Sequence, residues 1–129
     1  MCFNALISNT DDHPRNHAII AKARDWRLSP ACDLTPAPQV SLERRDLAMV
    51  CVDQGRFANA RNLPSQSARF LLSEGDAGSI VEAMKDRVKG TWYDVARRVG
   101  VAEKDCERIA SAFVYPGFDL EQIHPVNDD

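Results

Sequence analysis

Helical periodicity dominates the second half of the chain, whereas the first half alternates short apolar runs with polar turns. Ile80, Met84, Val88, Trp92, Val95 and Val99 recur every three or four residues, which predicts one long helix with a continuous apolar stripe and places Trp92 in the core. Ser73, with Asp76 three positions later, forms a capping-box pattern at its start, and Gly100 supplies the stop. A further helix is expected over Glu103 to Phe113, with Cys106, Ile109, Ala110 and Phe113 facing inward. Pro64 suits the first turn of a short helix running through Ala68, Phe70 and Leu71.

The first half reads as turns and hairpins. Phe3, Ala5, Leu6 and Ile7 end a helix that leads into a polar loop. Ile19 and Ile20, the turn Ala23-Arg24-Asp25, and Trp26 to Leu28 predict a short β-hairpin. Leu34-Thr35-Pro36-Ala37-Pro38 is extended, because two prolines exclude helix. Leu47 to Val52, the turn Asp53-Gln54-Gly55, and Arg56 to Ala58 predict a second hairpin. The run Glu43-Arg44-Arg45-Asp46 reads as a solvated face, with Arg44 or Arg45 near a phosphate or a protein substrate as the alternative. Order is expected to end at Tyr115-Pro116-Gly117, and Asn127 to Asp129 to fray. There is no internal repeat. The elements add up to a mainly α fold with two short β-hairpins.

Composition narrows the class without naming a function. The 129 residues suit one domain with a real core. Hydrophobic content of 44% and charged content of 27% are those of an ordinary globular protein. A net charge of −3 disfavours broad electrostatic binding to nucleic acid. No apolar run is long enough to span a bilayer, and the opening Met1 to Ile7 is too short, and lacks the basic residues, for a secretory signal. Cys2, Cys32, Cys51 and Cys106 show no Cys-x-x-Cys pairing, which argues against structural zinc and for reduced thiols in the cytoplasm.

The chemistry concentrates between Asn9 and Ala18. Asp11, Asp12, His13, Arg15 and Asn16 share one short loop, and Asp33 follows the first hairpin. An Asp, an Asn five positions on, and a second Asp beyond a hairpin is the spacing of a protein-kinase phosphoryl-transfer site. Such transfer needs positioning and charge neutralisation more than covalent help. Asp11 fits the group that orients the attacking hydroxyl, and Asn16 and Asp33 fit oxygen ligands of magnesium. A hairpin's open ends are neighbours, so residues 17 apart can share one ion. His13 and Arg15 would then face the phosphate as donors, although His13 fits a structural hydrogen bond equally well. Asp12 is read as loop-stabilising and His17 as structural, since Asp and Asn dominate ordinary turns.

The stretches FNALISNTDDHPRNHAII and WRLSPACDLTPAP closely resemble the carboxy-terminal lobe of HipA-like serine/threonine kinases, the toxins of HipA–HipB toxin–antitoxin pairs. That family carries an Asn/Ala-Thr-Asp-x-His-x-x-Asn loop and a Leu-x-Pro-x-x-Asp segment, both present here, with Asn9 at the first position of the loop. Cys32 stands where many relatives have an aromatic residue, a departure that bears on packing more than on ligation. The likeness covers residues 1–119: 1–40 as catalytic loop and metal-binding hairpin, 41–63 as second hairpin, 64–114 as helical subdomain, with 120–129 a tail. It implies a protein-kinase-like C-terminal lobe, with Asp11 catalytic and Asn16 and Asp33 holding Mg2+ beside ATP. A protein substrate and a HipB-like antitoxin are the implied partners. The six glycines are scattered and all follow the loop, so no glycine-rich loop covers ATP here. The chain therefore reads as a fragment, silent alone, binding no cofactor by itself, with an amino-terminal kinase portion as its missing partner. Two alternatives stand beside this reading. One is a non-catalytic binding or homo-oligomerisation module; the other is a small metal-dependent phosphohydrolase using Asp11, Asp12, His13 and His17.

Overall fold

The computed structural model describes residues 1–38, 43–50 and 52–119. Its elements are helix α1 (Cys2–Leu6), strands β1 (Ile19–Lys22) and β2 (Asp25–Leu28), the long helix α2 (Glu74–Arg98) and helix α3 (Glu103–Ile109). Short 3-10 turns cover Pro14–Asn16, Ser67–Phe70, Ala110–Ala112 and Pro116–Phe118. Among the described residues the fold is thus helical with one two-stranded antiparallel hairpin. No described helix is long and apolar enough to cross a membrane.

The first hairpin forms where expected. Its register pairs Ile19 with Leu28, Ile20 with Arg27, Ala21 with Trp26 and Lys22 with Asp25. The bond from Ser29 N to Ala18 O, 2.8 Å, extends the ladder by one pair toward the loop that precedes it. Every strand residue is exposed, so the hairpin stands on the surface and serves to bring its two ends together.

The core is assembled from distant pieces of chain. Ala5, Leu6 and Ile7 at the end of α1 pack with Leu47, Ala58 and Leu63, with Val81 and Val88 of α2, and with Tyr115 and Phe118. Backbone bonds fix the closing segment on this core: Val114 N donates to Leu6 O at 2.8 Å and Ala60 N to Phe118 O at 2.9 Å. Order therefore runs past Tyr115-Pro116-Gly117, because Phe118 is fully buried and anchors the segment. Gly117 permits that path: a Cβ there would collide with the Glu43 backbone. The last three residues lie outside the described chain.

Helix α2 has the expected cap, since Ser73 accepts from Asp76 N at 3.1 Å, and Gly100 follows the helix at φ 93°. Its buried face is not the anticipated stripe. Ala77, Val81 and Val88 face the core, whereas Ile80, Met84, Val95 and Val99 are exposed. The core is only as long as the elements packed against it, and Ile80 and Met84 instead line an open apolar cleft with Phe3, Phe70 and Leu72. Trp92 is half-buried and stacks on Phe113, centroids 4.5 Å apart. Helix α3 buries Cys106 and ends at Ile109, four residues before the Phe113 end that the apolar spacing predicts, giving way to a 3-10 turn at Ala110.

Two further expectations are corrected. The second hairpin is reduced, among the described residues, to isolated bridges at Asp46–Phe57 and Val52–Gly55. These bridges lie in different registers, so a continuous ladder cannot run between them; residue 51 is not described. The short helix after Pro64 is a 3-10 turn that closes at Leu71, which takes a positive φ of 59°.

Candidate functional site

The polar loop leaves the core through a left-handed residue. Ser8 has φ 53° and is held by its own hydroxyl, which donates to Ala112 O at 2.8 Å, and by Arg45 Nε, which donates to it at 3.3 Å. Arg45 is therefore not on a solvated face. It is 1% exposed, donates also to Arg44 O and Ser111 O, and lies over the Tyr115 ring at 4.8 Å from the centroid. Burial pulls its pKa below the ordinary arginine value. Arg44 points elsewhere, pairing with Asp46 at 3.0 Å and stacking over Phe57. The core claims Arg45, and Arg44 pairs with a local carboxylate.

Asn9 ties the two halves of the site together. Its Nδ2 donates to Asn4 Oδ1 at 3.1 Å and to the Asp33 carbonyl at 2.9 Å, and its N–H donates to Asn4 O at 2.8 Å. Asp33 is thereby held at a positive φ of 55°, a conformation that aspartate tolerates better than most residues. Sequence reasoning missed Asn9. Its one signal is its place at the first position of the Asn/Ala-Thr-Asp-x-His-x-x-Asn loop, to which no role was attached.

The structure brings Asn16 and Asp33 together: Asn16 Nδ2 stands 3.3 Å from Asp33 Oδ2 and donates as well to the Asp11 carbonyl at 3.3 Å. A half-turn of the carboxamide exchanges its oxygen and nitrogen. Two oxygens would then lie side by side, the donor type that a hard divalent cation takes. Thr35 Oγ1 donates to the other Asp33 oxygen at 3.5 Å. Asp11 and Asp33 line one cleft of about 200 Å3 with Asn9, Thr10, Thr35 and Ala37. The Asp11 side chain is 81% exposed, so its carboxylate is open to an incoming group.

His13 and Arg15 lie outside the lining of that cleft, in different settings. His13 Nε2 lies 4.0 Å from Asp11 Oδ1, and its Nδ1 is buried without a hydrogen-bond partner. Arg15 is exposed on the 3-10 turn Pro14–Asn16. Behind the loop, Asp12 is 1% exposed and bonds His17 Nε2 at 2.6 Å. Burial pushes the Asp12 carboxyl up, but hydrogen bonds from Asn4 and His17 and the Met1 amino charge outweigh it, holding the group below its ordinary value. Asp12 and His17 thus engage each other rather than the cleft. Among the described residues no group of three His, Cys, Asp or Glu side chains is placed to hold a metal, so the imidazole-rich site of a phosphohydrolase is not assembled.

Residues 1–115 match the family model described as the HipA-like C-terminal domain. No curated protein and no solved structure gives a match.

Proposed function

The chain belongs to the HipA-like C-terminal domain family, and on that premise we propose that it forms the kinase-like catalytic lobe of a serine/threonine protein kinase. The observation that carries the reading is the 3.3 Å approach of Asn16 to Asp33 across 17 residues, beside a cleft that Asp11 also lines. Asn9 fixes the Asp33 backbone from the buried side, donating to its carbonyl at 2.9 Å, and so steadies the carboxylate that Asn16 approaches.

In this reading Asp11 orients a serine or threonine hydroxyl and takes up its proton. Asn16 and Asp33 present oxygens to magnesium, which when bound beside ATP neutralises charge on the phosphate oxygens. Arg15 and His13 donate to those oxygens, the first from the exposed turn and the second from beside Asp11. The activity is that of an assembled kinase, because the sequence holds no glycine-rich loop to cover ATP. The substrate is a protein and the regulator a HipB-like antitoxin, both carried over from the family resemblance.

Manganese, a paramagnetic stand-in for magnesium, tests the site on this chain directly. Titrated into 15N-labelled protein, Mn2+ should broaden the signals of Asn16, Asp33 and Asn9 first. Asp33→Asn should weaken that effect by on the order of tenfold, as loss of one charged oxygen ligand predicts. Broadening scattered over surface carboxylates and indifferent to Asp33→Asn would overturn the reading.

A further inference from the structure

Asp12 follows Asp11 and His17 follows Asn16, so the two proposed site residues and the two residues behind them share the same spacing of five. The outer pair is closed by Asn16 Nδ2 donating to the Asp11 carbonyl at 3.3 Å, and the inner pair by His17 Nε2 donating to Asp12 Oδ1 at 2.6 Å. The inner bond is the shorter and the better sheltered. Asp12 is 1% exposed, while His17, at 42%, is reached from solvent.

The other ties on the turn between them are longer and solvent-exposed: Asn16 Nδ2 to the Asp11 carbonyl and to Asp33 Oδ2, and Cys32 Sγ to Asn16 O, each 3.3 Å. Residues Pro14–Asn16 form a single 3-10 turn with no side-chain cap, held by Asn16 N to His13 O at 2.9 Å and His17 N to Pro14 O at 3.1 Å. Immediately after it, His17 is extended, at φ −121° and ψ 130°. A turn this short can swing about its ends unless one is anchored. Asp12 supplies the anchor from the buried side, next to Asn4, the same residue that receives Asn9. A loop-stabilising aspartate needs only a local backbone partner. Asp12 instead takes the side chain that adjoins Asn16.

We propose that the Asp12–His17 hydrogen bond is a staple that aims the Asn16 carboxamide at Asp33, making Asp12 and His17 positioning residues of the phosphoryl-transfer site. This deepens the reading above and rests on it for the role of Asn16, but the staple itself is a property of the metal-free chain. The bond closes the loop from behind, and the front is left free for the cation and phosphate.

The test follows the Asn16 side-chain amide by NMR in metal-free protein. In His17→Ala its protons should exchange with water on the order of fivefold faster and move toward the shift of a free carboxamide, the scale expected for losing one charge-assisted hydrogen bond. His17→Gln, whose amide can still donate to Asp12, should recover most of the protection. Leu6 and Ile7 methyl signals report whether the core is intact; should His17→Ala disturb them, Asp12→Asn weakens the same bond with little change in shape. An unchanged Asn16 amide in a folded variant overturns the staple. Manganese then separates the two claims: wild-type protein with a protected Asn16 amide but no specific broadening keeps the staple and loses the metal reading. A variant that keeps wild-type manganese broadening, with Asn16 undisturbed, loses the staple alone.

Discussion

Tyr115 and Arg45 show what a single residue contributes here. The Tyr115 hydroxyl donates to the Ala58 carbonyl, its ring packs edge-on to Phe118, and the Arg45 guanidinium lies over its face. Burial, opposed by the nearby Arg45 charge, pushes the phenol from its ordinary value of 10 up to about 12. The folded state thus holds the proton more tightly than the unfolded chain does. That stabilisation is complete below pH 10 and is lost as pH rises from 10 toward 12. Urea melts at stepped pH should show a midpoint that falls across that window, and in Tyr115→Phe the fall should shrink while stability at pH 7 drops by about 1 kcal/mol. An identical alkaline profile in both proteins would show that Tyr115 is not the group responsible. Little of this is legible in sequence. Glu43-Arg44-Arg45-Asp46 has the composition of a solvated run, and Arg45 is buried only because Ser8, Ser111 and Tyr115 arrive from distant parts of the chain. The proximity of Asn16 and Asp33 was legible because their spacing is set by a local loop and a hairpin. The role of Asn9 was not, since its meaning lies in the Asp33 backbone 24 residues away.

Among the elements, α2 separates what local chemistry dictates from what packing decides. Its ends were readable: Ser73 caps the first turn through Asp76 N, with Glu74 and Asp76 at the positive end of the helix dipole and Arg97 and Arg98 at the negative end. Ser73→Ala should lower stability by about 1 kcal/mol. Gly90 lies inside the helix with open space where a side chain would project, so Gly90→Ala should raise stability by about 0.5–1 kcal/mol. Thermal melts with helix content followed by circular dichroism check both signs. A neutral Gly90→Ala would mean that the helix frays before position 90. The buried face was less readable. Period alone cannot choose between Val81 and Ile80, one position apart, when both sit among apolar neighbours; the choice belongs to α1 and the Tyr115–Phe118 segment, which pack on the side of Val81. The second hairpin failed for a related reason. Its apolar run is genuine, but side chains such as Arg56, which donates to the Leu47 carbonyl at 2.6 Å, take backbone acceptors a regular ladder would use.

At the scale of the whole molecule, the unexpected face of α2 becomes part of a larger surface. Phe70, 67% exposed, lines an apolar cleft of about 380 Å3 with Phe3, Leu72, Ile80 and Met84, and its chain neighbour Leu71 is 96% exposed. Isolated apolar residues on a surface are ordinary, but a contiguous patch with a concave centre is not. Phe3 also lines the neighbouring cleft that contains Asn16 and His17, so the patch begins beside the candidate site and runs away from it along α2. Water against such a patch is unfavourable by roughly 25 cal/mol per Å2 of apolar area, which drives either dye binding or contact with another apolar surface. Anilinonaphthalene sulfonate should therefore fluoresce with the folded chain, and its apparent mass by light scattering should rise with concentration. Replacing Met84 by Glu places a charge in the cleft without touching Val81 or Val88, and should reduce both signals while leaving helix content unchanged. A folded chain that ignores the dye and keeps the mass of a monomer at all concentrations would show that these side chains close over one another in solution.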